Sequence, residues 1–310
     1  MKEKILYEIK GLYRDDFRVT GYSFGSGEKT ICIAGAMRGN ENQQLYCCAG
    51  LISRLRRMED EGKLIPGKEI LVVPCINPYS MNLKKRFWGI DNTDINRMFP
   101  GFSEGETTQR IADGVFRVLK GYRFGVQFAS FYMRGNFVPH VRMMRTGYEN
   151  VELAKKFGMP YVVLHEPRPF DTATLNYNWQ VWETDAFSIY STDTQNVNPE
   201  SARQAEEAVL NFMDSQGICR YHGNRGYISR VIGSSDFIPI RANFGGFFEC
   251  LVRPGQSVSK GDELARILHP YTLDVRETLH APSDGTVSFV LEEATTHQNT
   301  AVISLIRDLN

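Results

Sequence analysis

The chain has 310 residues, 42% of them apolar, and its 36 acidic residues balance its 36 basic residues. Such a length holds one large domain and a smaller one, and the balanced charge argues against nucleic acid or a membrane surface as a partner. No apolar run reaches the roughly 18 residues of a membrane helix, and Met1–Lys4 carries no apolar signal segment, so we expect a cytoplasmic protein. The six cysteines form no CxxC pair, and we expect buried thiols rather than disulfides or metal ligands.

Residues 1–222 alternate between apolar strand-like runs and amphipathic helical patterns. This alternation predicts an α/β domain whose sheet is mostly parallel or mixed and is flanked by helices on both faces. Asn40 is the predicted N-cap of the first helix, and residues 166–185 are predicted to form a long aromatic loop. Residues 1–29 are predicted to form a lead-in segment that includes a strand at 18–24. Further strands are predicted at 30–35, 69–76, 122–130, 160–164 and 186–191, and helices at 41–60, 104–119, 148–157 and 199–216.

Residues 223–310 lack helical periodicity and consist of short strand-like runs separated by Gly, Pro and Asp. This pattern predicts a small all-β barrel or sandwich module as a second domain. Two of its turns, Pro254–Leu264 (PGQSVSKGDEL) and Ala281–Val287 (APSDGTV), resemble turns of biotinyl- and lipoyl-type domains. No lysine stands where such a domain would carry its modified lysine, so we interpret the module as structural and not as a carrier.

The loop at 77–101 is dense in turn formers and paired charges, and it follows a strand predicted to be buried. Loops beyond strand ends are where α/β proteins place their functional residues. Arg86 and Arg97 are the two strong anion receptors of this loop, because a guanidinium offers a planar fork that matches a carboxylate. The alternative is a polar surface loop in which these arginines pair with Asp91 and Asp94.

The loop contains a long spaced pattern of specific residues: Asn77, Pro78, Arg86, Asp91, Asp94, Asn96, Arg97, Phe99, Pro100 and Gly101. These residues match the pattern NPxA…R…DxxDxNRxFPG. The loop, together with the preceding strand and helix and the C-terminal module, therefore resembles the succinylglutamate desuccinylase/aspartoacylase family. Members of that family are zinc-dependent hydrolases of amide bonds related to zinc carboxypeptidases, which implies a zinc-carboxypeptidase-like fold over nearly the whole chain. The resemblance also implies that Asn96 and Arg97 receive a substrate carboxylate and that Arg86 polarises the scissile carbonyl and steadies its oxyanion.

The chain departs from this family at the zinc ligands. The family binds zinc through an HxxE motif and a second His in a D-[LI]-H strand end. Here Arg38 replaces the first His, Glu41 keeps the Glu, and Gln127 and Gly125 stand where the second His and its Asp are expected. The family's catalytic Glu is expected in an ExG segment near 190–192, but residues 188–193 contain no Glu, and Asp193 is the nearest carboxylate.

These replacements change what the site can bind. A catalytic zinc needs about three protein ligands and an open position. The guanidinium of Arg38 has no lone pair to donate, and the neutral amide of Gln127 is a poor ligand beside an imidazole, which leaves Glu41 as the one retained ligand. We therefore expect zinc to be absent or weakly bound and predict an Arg38–Glu41 contact near the metal position. The alternative for Arg38 is a solvated side chain at a helix start.

Other residues could rebuild a metal site. His165 ends a predicted strand, and His140 follows Pro139; either is a candidate ligand beside Glu41. The aromatic residues of the loop at 166–185, namely Tyr177, Trp179 and Trp182, are candidates for covering a ligand or for packing under the loop.

Three functions follow from these observations. The first is a protein that binds a small carboxylate, such as an N-acyl amino acid or a peptide end, through Arg86, Asn96 and Arg97 without hydrolysing it. The second is an active zinc-dependent N-acyl amino acid deacylase with an unusual metal site built on Glu41 and His165 or His140. The third is a structural or assembly role, and a homo-oligomer is left open.

Overall fold

The computed structural model describes residues 1–11 and 15–308. Residues 12–14 of the predicted lead-in and 309–310 of the predicted module lie outside the described residues. The chain divides into a larger unit, Met1–Ser130 with Pro139–Val231, and a smaller unit, Phe131–Val138 with Ile232–Asn310. The boundary predicted after residue 222 lies within the larger unit, which continues to Val231, and the short segment at 131–138 belongs to the smaller unit.

Strands and helices follow one another in the larger unit, and strands alone make up most of the smaller one. The strands are β1 (Lys2–Ile9), β2 (Phe17–Gly25), β3 (Gly27–Ala36), β4 (Gly67–Cys75), β5 (Phe124–Ala129), β6 (Gly135–Phe137), β7 (His140–Met144), β8 (Tyr161–His165), β9 (Asp185–Tyr190), β10 (Arg230–Gly233), β11 (Phe237–Arg241), β12 (Gly246–Cys250), β13 (Ser257–Val258), β14 (Glu263–Leu268), β15 (Val275–His280), β16 (Gly285–Leu291), β17 (Thr295–Thr296) and β18 (Ala301–Arg307). The α-helices are α1 (Asn42–Asp60), α2 (Pro78–Asn82), α3 (Thr107–Leu119), α4 (Val151–Ala154), α5 (Leu175–Val181) and α6 (Pro199–Ser215).

A nine-stranded mixed sheet forms the centre of the larger unit, in the order β1-β2-β4-β3-β5-β9-β7-β8-β10. Its middle strands β4, β3, β5 and β9 are parallel, whereas β7 pairs antiparallel with β9 and parallel with β8. The predicted α/β class with a mostly parallel or mixed sheet is confirmed. Because the parallel strands all end at one edge, the loops that follow them meet there.

Helices cover both faces of this sheet. Side chains of β3 point alternately to the two faces and contact a different set of helices on each. Ile31 and Ile33 face a core that includes buried residues of α1 and α6, whereas Cys32 and Ala34 face a second core with α3 and α5. All four side chains are fully buried, as expected for an inner strand covered on both sides.

Several predicted elements differ from those observed. The N-cap position of α1 is Glu41 and not Asn40, because residues 38–41 form a turn in which the Glu41 amide donates to the Arg38 carbonyl. The predicted loop at 166–185 contains α5, in which the buried polar residues Asn176, Asn178 and Gln180 interrupt an apolar stripe. The predicted helix at 148–157 is reduced to α4 and a 3-10 turn at Lys155–Phe157, and the lead-in includes strand β1.

The smaller unit contains two antiparallel sheets, ordered β11-β18-β16-β13 with β6 beside β16, and β15-β14-β12-β17. This agrees with the predicted all-β module. Gly255 and Gly261, in the turn at 254–264, have φ angles of 85° and 96°, which a residue with a side chain adopts only at a cost.

All six cysteines are free thiols; four are buried as predicted, whereas Cys75 and Cys250 are partly exposed. Across the described residues, none of the helices has both the length and the apolar character needed to cross a membrane.

Candidate functional site

A cavity of the larger unit lies where β5, β9 and β7 run side by side. Gln127, Ser188 and Arg142 occupy directly opposing positions on these three strands, so their side chains share one face of the sheet. The walls of the cavity include Arg38, Asn96, Arg97, Gln127, Arg142 and Asn176. Its volume is about 60 Å³, which suits a small polar group and not a long chain.

Arg38 lies in the turn between β3 and α1 and joins two carboxylates. Its Nη1 donates to Glu41 Oε1 at 2.8 Å, while Nε and Nη2 donate to Asp94 at 3.1 and 2.9 Å. Burial alone lowers the pKa of Arg38, but the charges and hydrogen bonds of Glu41 and Asp94 outweigh it and hold the pKa above its usual value. The predicted Arg38–Glu41 contact is therefore present, and Asp94 is a second partner that the sequence did not indicate.

Both carboxylate oxygens of Glu41 accept hydrogen bonds from other groups of the protein. Oε2 accepts from the backbone amides of Met37 at 2.7 Å and Arg38 at 3.2 Å. Oε1 accepts from the Arg38 guanidinium and from the Ser130 hydroxyl. The side chain is 1% exposed, so this set of donors replaces water around the carboxylate.

Asn96 and Arg97, the predicted carboxylate receptors, both line the cavity from the 3-10 turn Ile95–Arg97. Asn96 Oδ1 accepts from the Leu175 amide at 3.1 Å, which leaves its Nδ2 as the donor that has no partner among the described residues. Arg97 Nη1 donates to Phe170 O at 2.7 Å and to Asp171 Oδ1 at 3.0 Å. The charge of Arg97 is therefore already balanced by Asp171.

Arg86 occupies a different place from the other predicted receptors. Among the residues the structure describes, those that line the cavity do not include Arg86. Its Nη1 lies 3.5 Å from Asn40 Oδ1, and its guanidinium lies over the Phe87 ring. Asn77, at the start of the same loop, accepts from the Ser80 amide and caps α2, so the Asn-Pro pair has a structural use here. The oxyanion role of Arg86 stays a prediction.

The two candidate histidines have other partners. His140 stacks on Tyr190 with ring centroids 4.7 Å apart, and His165 Nε2 lies 3.1 Å from Asp171 Oδ2. Burial lowers the pKa of His165 most, and the positive charge of Arg142 lowers it further, against the opposing effect of Asp171. Within residues 1–11 and 15–308, no group of three or more His, Cys, Asp or Glu side chains is arranged to hold a metal.

The aromatic residues at 177–182 differ in their contacts. Trp179 is fully buried, and its indole N–H donates to Leu119 O at 3.2 Å. Trp182 is half exposed and makes an edge contact with Phe116. The contacts of Trp179 are therefore those of a residue packed under the loop, and not of one that covers a ligand.

Several residues that line the cavity were not candidates from the sequence, and Arg142 and Asn176 are two of them. Arg142 is a charged residue within the otherwise largely buried strand β7, and Asn176 is a polar residue on the buried side of α5. A charge inside an apolar strand was the signal available for Arg142. Asn176 became visible only once α5 and its orientation were known.

Comparison with known proteins identifies the family of this chain. The succinylglutamate desuccinylase/aspartoacylase catalytic domain matches residues 27–216, which is more than half of the chain. The chain belongs to the succinylglutamate desuccinylase/aspartoacylase family. Within it, the chain is 26% identical over 271 residues to N-alpha-acetyl-L-2,4-diaminobutyric acid deacetylase of Halomonas elongata, covering 80% of this chain and 73% of that protein.

Solved structures show the same family fold. A succinylglutamate desuccinylase from Silicibacter sp. TM1040 superposes with a TM-score of 0.81 at 19% identity, covering 97% of this chain and 93% of that chain. The ectoine utilization protein EutE (DoeB) of Ruegeria pomeroyi, in a product-bound structure, gives 0.77 at 19% identity, covering 94% and 90%.

The residues at the family's zinc position do not fit the metal. Glu41 has both oxygens committed to four donors, and the Arg38 guanidinium lies against it at 2.8 Å, bringing a positive charge where a dication would bind. Gln127 offers only an amide. We therefore derive no chemical step through zinc for this protein.

Proposed function

We propose that the protein binds a small carboxylate, an N-acyl amino acid or a peptide end, on a deacylase scaffold without zinc-dependent hydrolysis. The observation that carries this proposal is the Arg38 cluster. Arg38 is ion-paired with Glu41 and Asp94 and is 7% exposed, so the group that would compete with a metal is fixed in place. A water of lowered pKa, and with it the hydroxide that a bound zinc would supply, is then lacking.

The proposed binding of a carboxylate is supported by the polar groups that line the cavity. Asn96 and Arg97 keep donor groups there, and Arg142 adds a second guanidinium. Charge-assisted hydrogen bonds of this kind contribute about 1.5–3 kcal/mol each. The name of the H. elongata relative supports an acylated amino acid as the class of ligand.

Three measurements on the purified protein test this proposal: zinc content, turnover, and the shift in melting temperature with N-acetyl-L-alanine, N-acetyl-L-aspartate, N-succinyl-L-glutamate and a short peptide. We expect less than stoichiometric zinc, no release of free amine, and thermal stabilisation by at least one ligand. Arg97→Met should reduce that stabilisation. Arg117→Met, which removes an exposed guanidinium of α3, is the matched control and should not.

Two other outcomes would favour the remaining functions. Stoichiometric zinc, with turnover that disappears in Glu41→Ala, would establish the hydrolase with a non-standard metal site. A protein that responds to none of the ligands, with Arg97→Met indistinguishable from wild type, would leave the structural role.

A further inference from the structure

Three guanidinium groups line the cavity, and their charges are balanced to different degrees. Arg38 faces the carboxylates of Glu41 and Asp94, and Arg97 is paired with Asp171. Within the described part of the chain, Arg142 has no ion pair and no side-chain hydrogen bond; its guanidinium lies 5.0 Å from the centre of the Tyr190 ring. Arg142 is therefore the guanidinium of the cavity that has no carboxylate partner of its own within the described residues.

Asn176 supplies an independent observation on the same cavity. Its side chain is 2% exposed, and neither its oxygen nor its nitrogen has a hydrogen-bond partner among the described residues. A buried amide without partners costs about 1–3 kcal/mol, so such a group calls for an explanation. An amide that both donates and accepts is complementary to a second amide, because the C=O of a ligand can accept from Nδ2 while its N–H donates to Oδ1.

The fold holds the two groups on separate rigid elements. Arg142 is in the middle of β7, directly opposite Ser188 of β9. Asn176 is in the first turn of α5, whose Trp179 is anchored in the core. A cavity of about 60 Å³ between them holds on the order of four to six water-sized positions, which suits a carboxylate and a neighbouring amide.

We propose that Arg142 is the principal anion receptor of the cavity and that Asn176 recognises an intact amide of the same ligand. This inference rests on the proposed function and specifies it: the ligand is an amino acid acylated on nitrogen, bound by one carboxylate and by its amide. Arg97, which already neutralises Asp171, contributes less to binding the anion than Arg142.

Calorimetric titration of the full-length protein with three probes tests the ligand chemistry. N-acetyl-L-alanine has both groups, its methyl ester lacks the charge, and L-lactate lacks the amide. We expect the ester and lactate to bind at least tenfold more weakly than N-acetyl-L-alanine. Equal binding of the ester would overturn the role of Arg142, and equal binding of lactate would overturn that of Asn176.

Variants of the two residues test the assignment. Arg142→Met should weaken N-acetyl-L-alanine binding about 10- to 100-fold and Arg97→Met by less. Asn176→Leu should weaken it about tenfold while leaving the melting temperature of the free protein unchanged or higher, because the substitution removes two unpartnered polar atoms. If Arg97→Met abolishes binding and Arg142→Met does not, the proposed function stands and this inference fails. If the wild-type protein binds none of the acylated ligands, both fail.

A spectroscopic readout separates recognition from a merely structural role of Arg142. Because the charge of Arg142 lowers the pKa of His165, an anion that neutralises it should raise that pKa in an NMR titration. Arg142→Met should raise it without ligand, and N-acetyl-L-alanine at the same concentration should then change it less than in the wild type. A pKa of His165 that is unaffected by the ligand in the wild type would contradict the proposal.

Discussion

The guanidinium of Arg38 is held by Glu41 on one side and Asp94 on the other, and all three side chains are largely buried. The resemblance implies a metal-ligating His at this position, whereas the guanidinium of Arg38 only donates hydrogen bonds and has no lone pair to offer a metal. The carboxylate of Glu41 is kept, but its partner changes from a metal to a neighbouring residue of the same turn. Arg38, Glu41 and Asp94 therefore form a buried ion-pair cluster in the turn between β3 and α1.

We predict that Arg38→Met destabilises the fold by about 3–5 kcal/mol, because it leaves two buried carboxylates without their shared cation. Urea denaturation followed by circular dichroism measures the effect. Asp94→Asn should also destabilise, but the double variant should be less destabilised than the sum of the two, since both remove the same contact. Additive effects, or a loss below about 1 kcal/mol for Arg38→Met, would contradict this account.

A second residue-scale prediction concerns the pH dependence of stability through His165. Burial lowers its pKa most, Arg142 and Arg168 lower it further, and Asp171 raises it, so the net direction is downward. A folded-state pKa below the ordinary value of about 6.5 means that the unfolded chain binds more protons in this window. The free energy of unfolding should therefore fall as the pH drops from about 6.5 towards the folded-state pKa.

His165→Asn should flatten that part of the profile, which urea titrations at successive pH values would reveal. The lowered pKa of Asp171 acts in a separate window. Its stabilisation is present above the ordinary Asp pKa of about 3.9 and is lost at lower pH. An unchanged slope near pH 6 in the His165 variant would show that another group titrates there.

At the scale of elements, α5 lies against the central sheet through Trp179 and Gly125. A Cβ at position 125 would come within 2.7 Å of the Trp179 ring, which explains why β5 carries glycine there. Any larger side chain at position 125, including the Asp that the resemblance implies there, would clash with the Trp179 ring in this arrangement. The packing of α5 against β5 therefore depends on glycine at this position.

We predict that Gly125→Ala destabilises the protein by about 1–3 kcal/mol through overpacking against Trp179. Gly233→Ala is the matched control, because its added Cβ would meet no atom closer than 3.9 Å. Thermal denaturation of the two variants compares them directly. Equal melting temperatures would mean that α5 can move away from the sheet at little cost.

The elements also show what the sequence could and could not predict. Hydrophobic periodicity identified β3, β4, β9, α1 and α6, whose apolar patterns are strong, and the Arg38–Glu41 pair followed from a spacing of three residues within one turn. The neighbourhood of Gln127, Ser188 and Arg142 depends on β7 inserting beside β9 from a distant part of the chain. Asn176 depends on α5, whose polar residues conceal its apolar stripe. Such long-range pairings leave no local pattern.

At the scale of the whole molecule, the path of the chain joins the two units more than once. Residues 131–138 leave the larger unit, and β6 within them pairs antiparallel with β16 of the smaller unit before the chain returns to β7. Phe137 of β6 is 1% exposed and lies opposite Phe289. The ring of Phe131, in the same segment, is 4.3 Å from that of Phe137 and 6.1 Å from that of Phe289. The core of the smaller unit thus includes side chains from the middle of the sequence.

We predict that Phe137→Ala destabilises the smaller unit by about 3–5 kcal/mol, the usual cost of truncating a buried Phe. Hydrogen exchange should show faster exchange of the amides of β6 and β16, since opening of this unit then requires less free energy. Tyr132→Ala, in the same segment but 80% exposed, is the matched control and should stay within about 0.5 kcal/mol of wild type. Wild-type protection of β16 in Phe137→Ala would show that the sheet is stable without β6, and that residues 131–138 only lie along its edge.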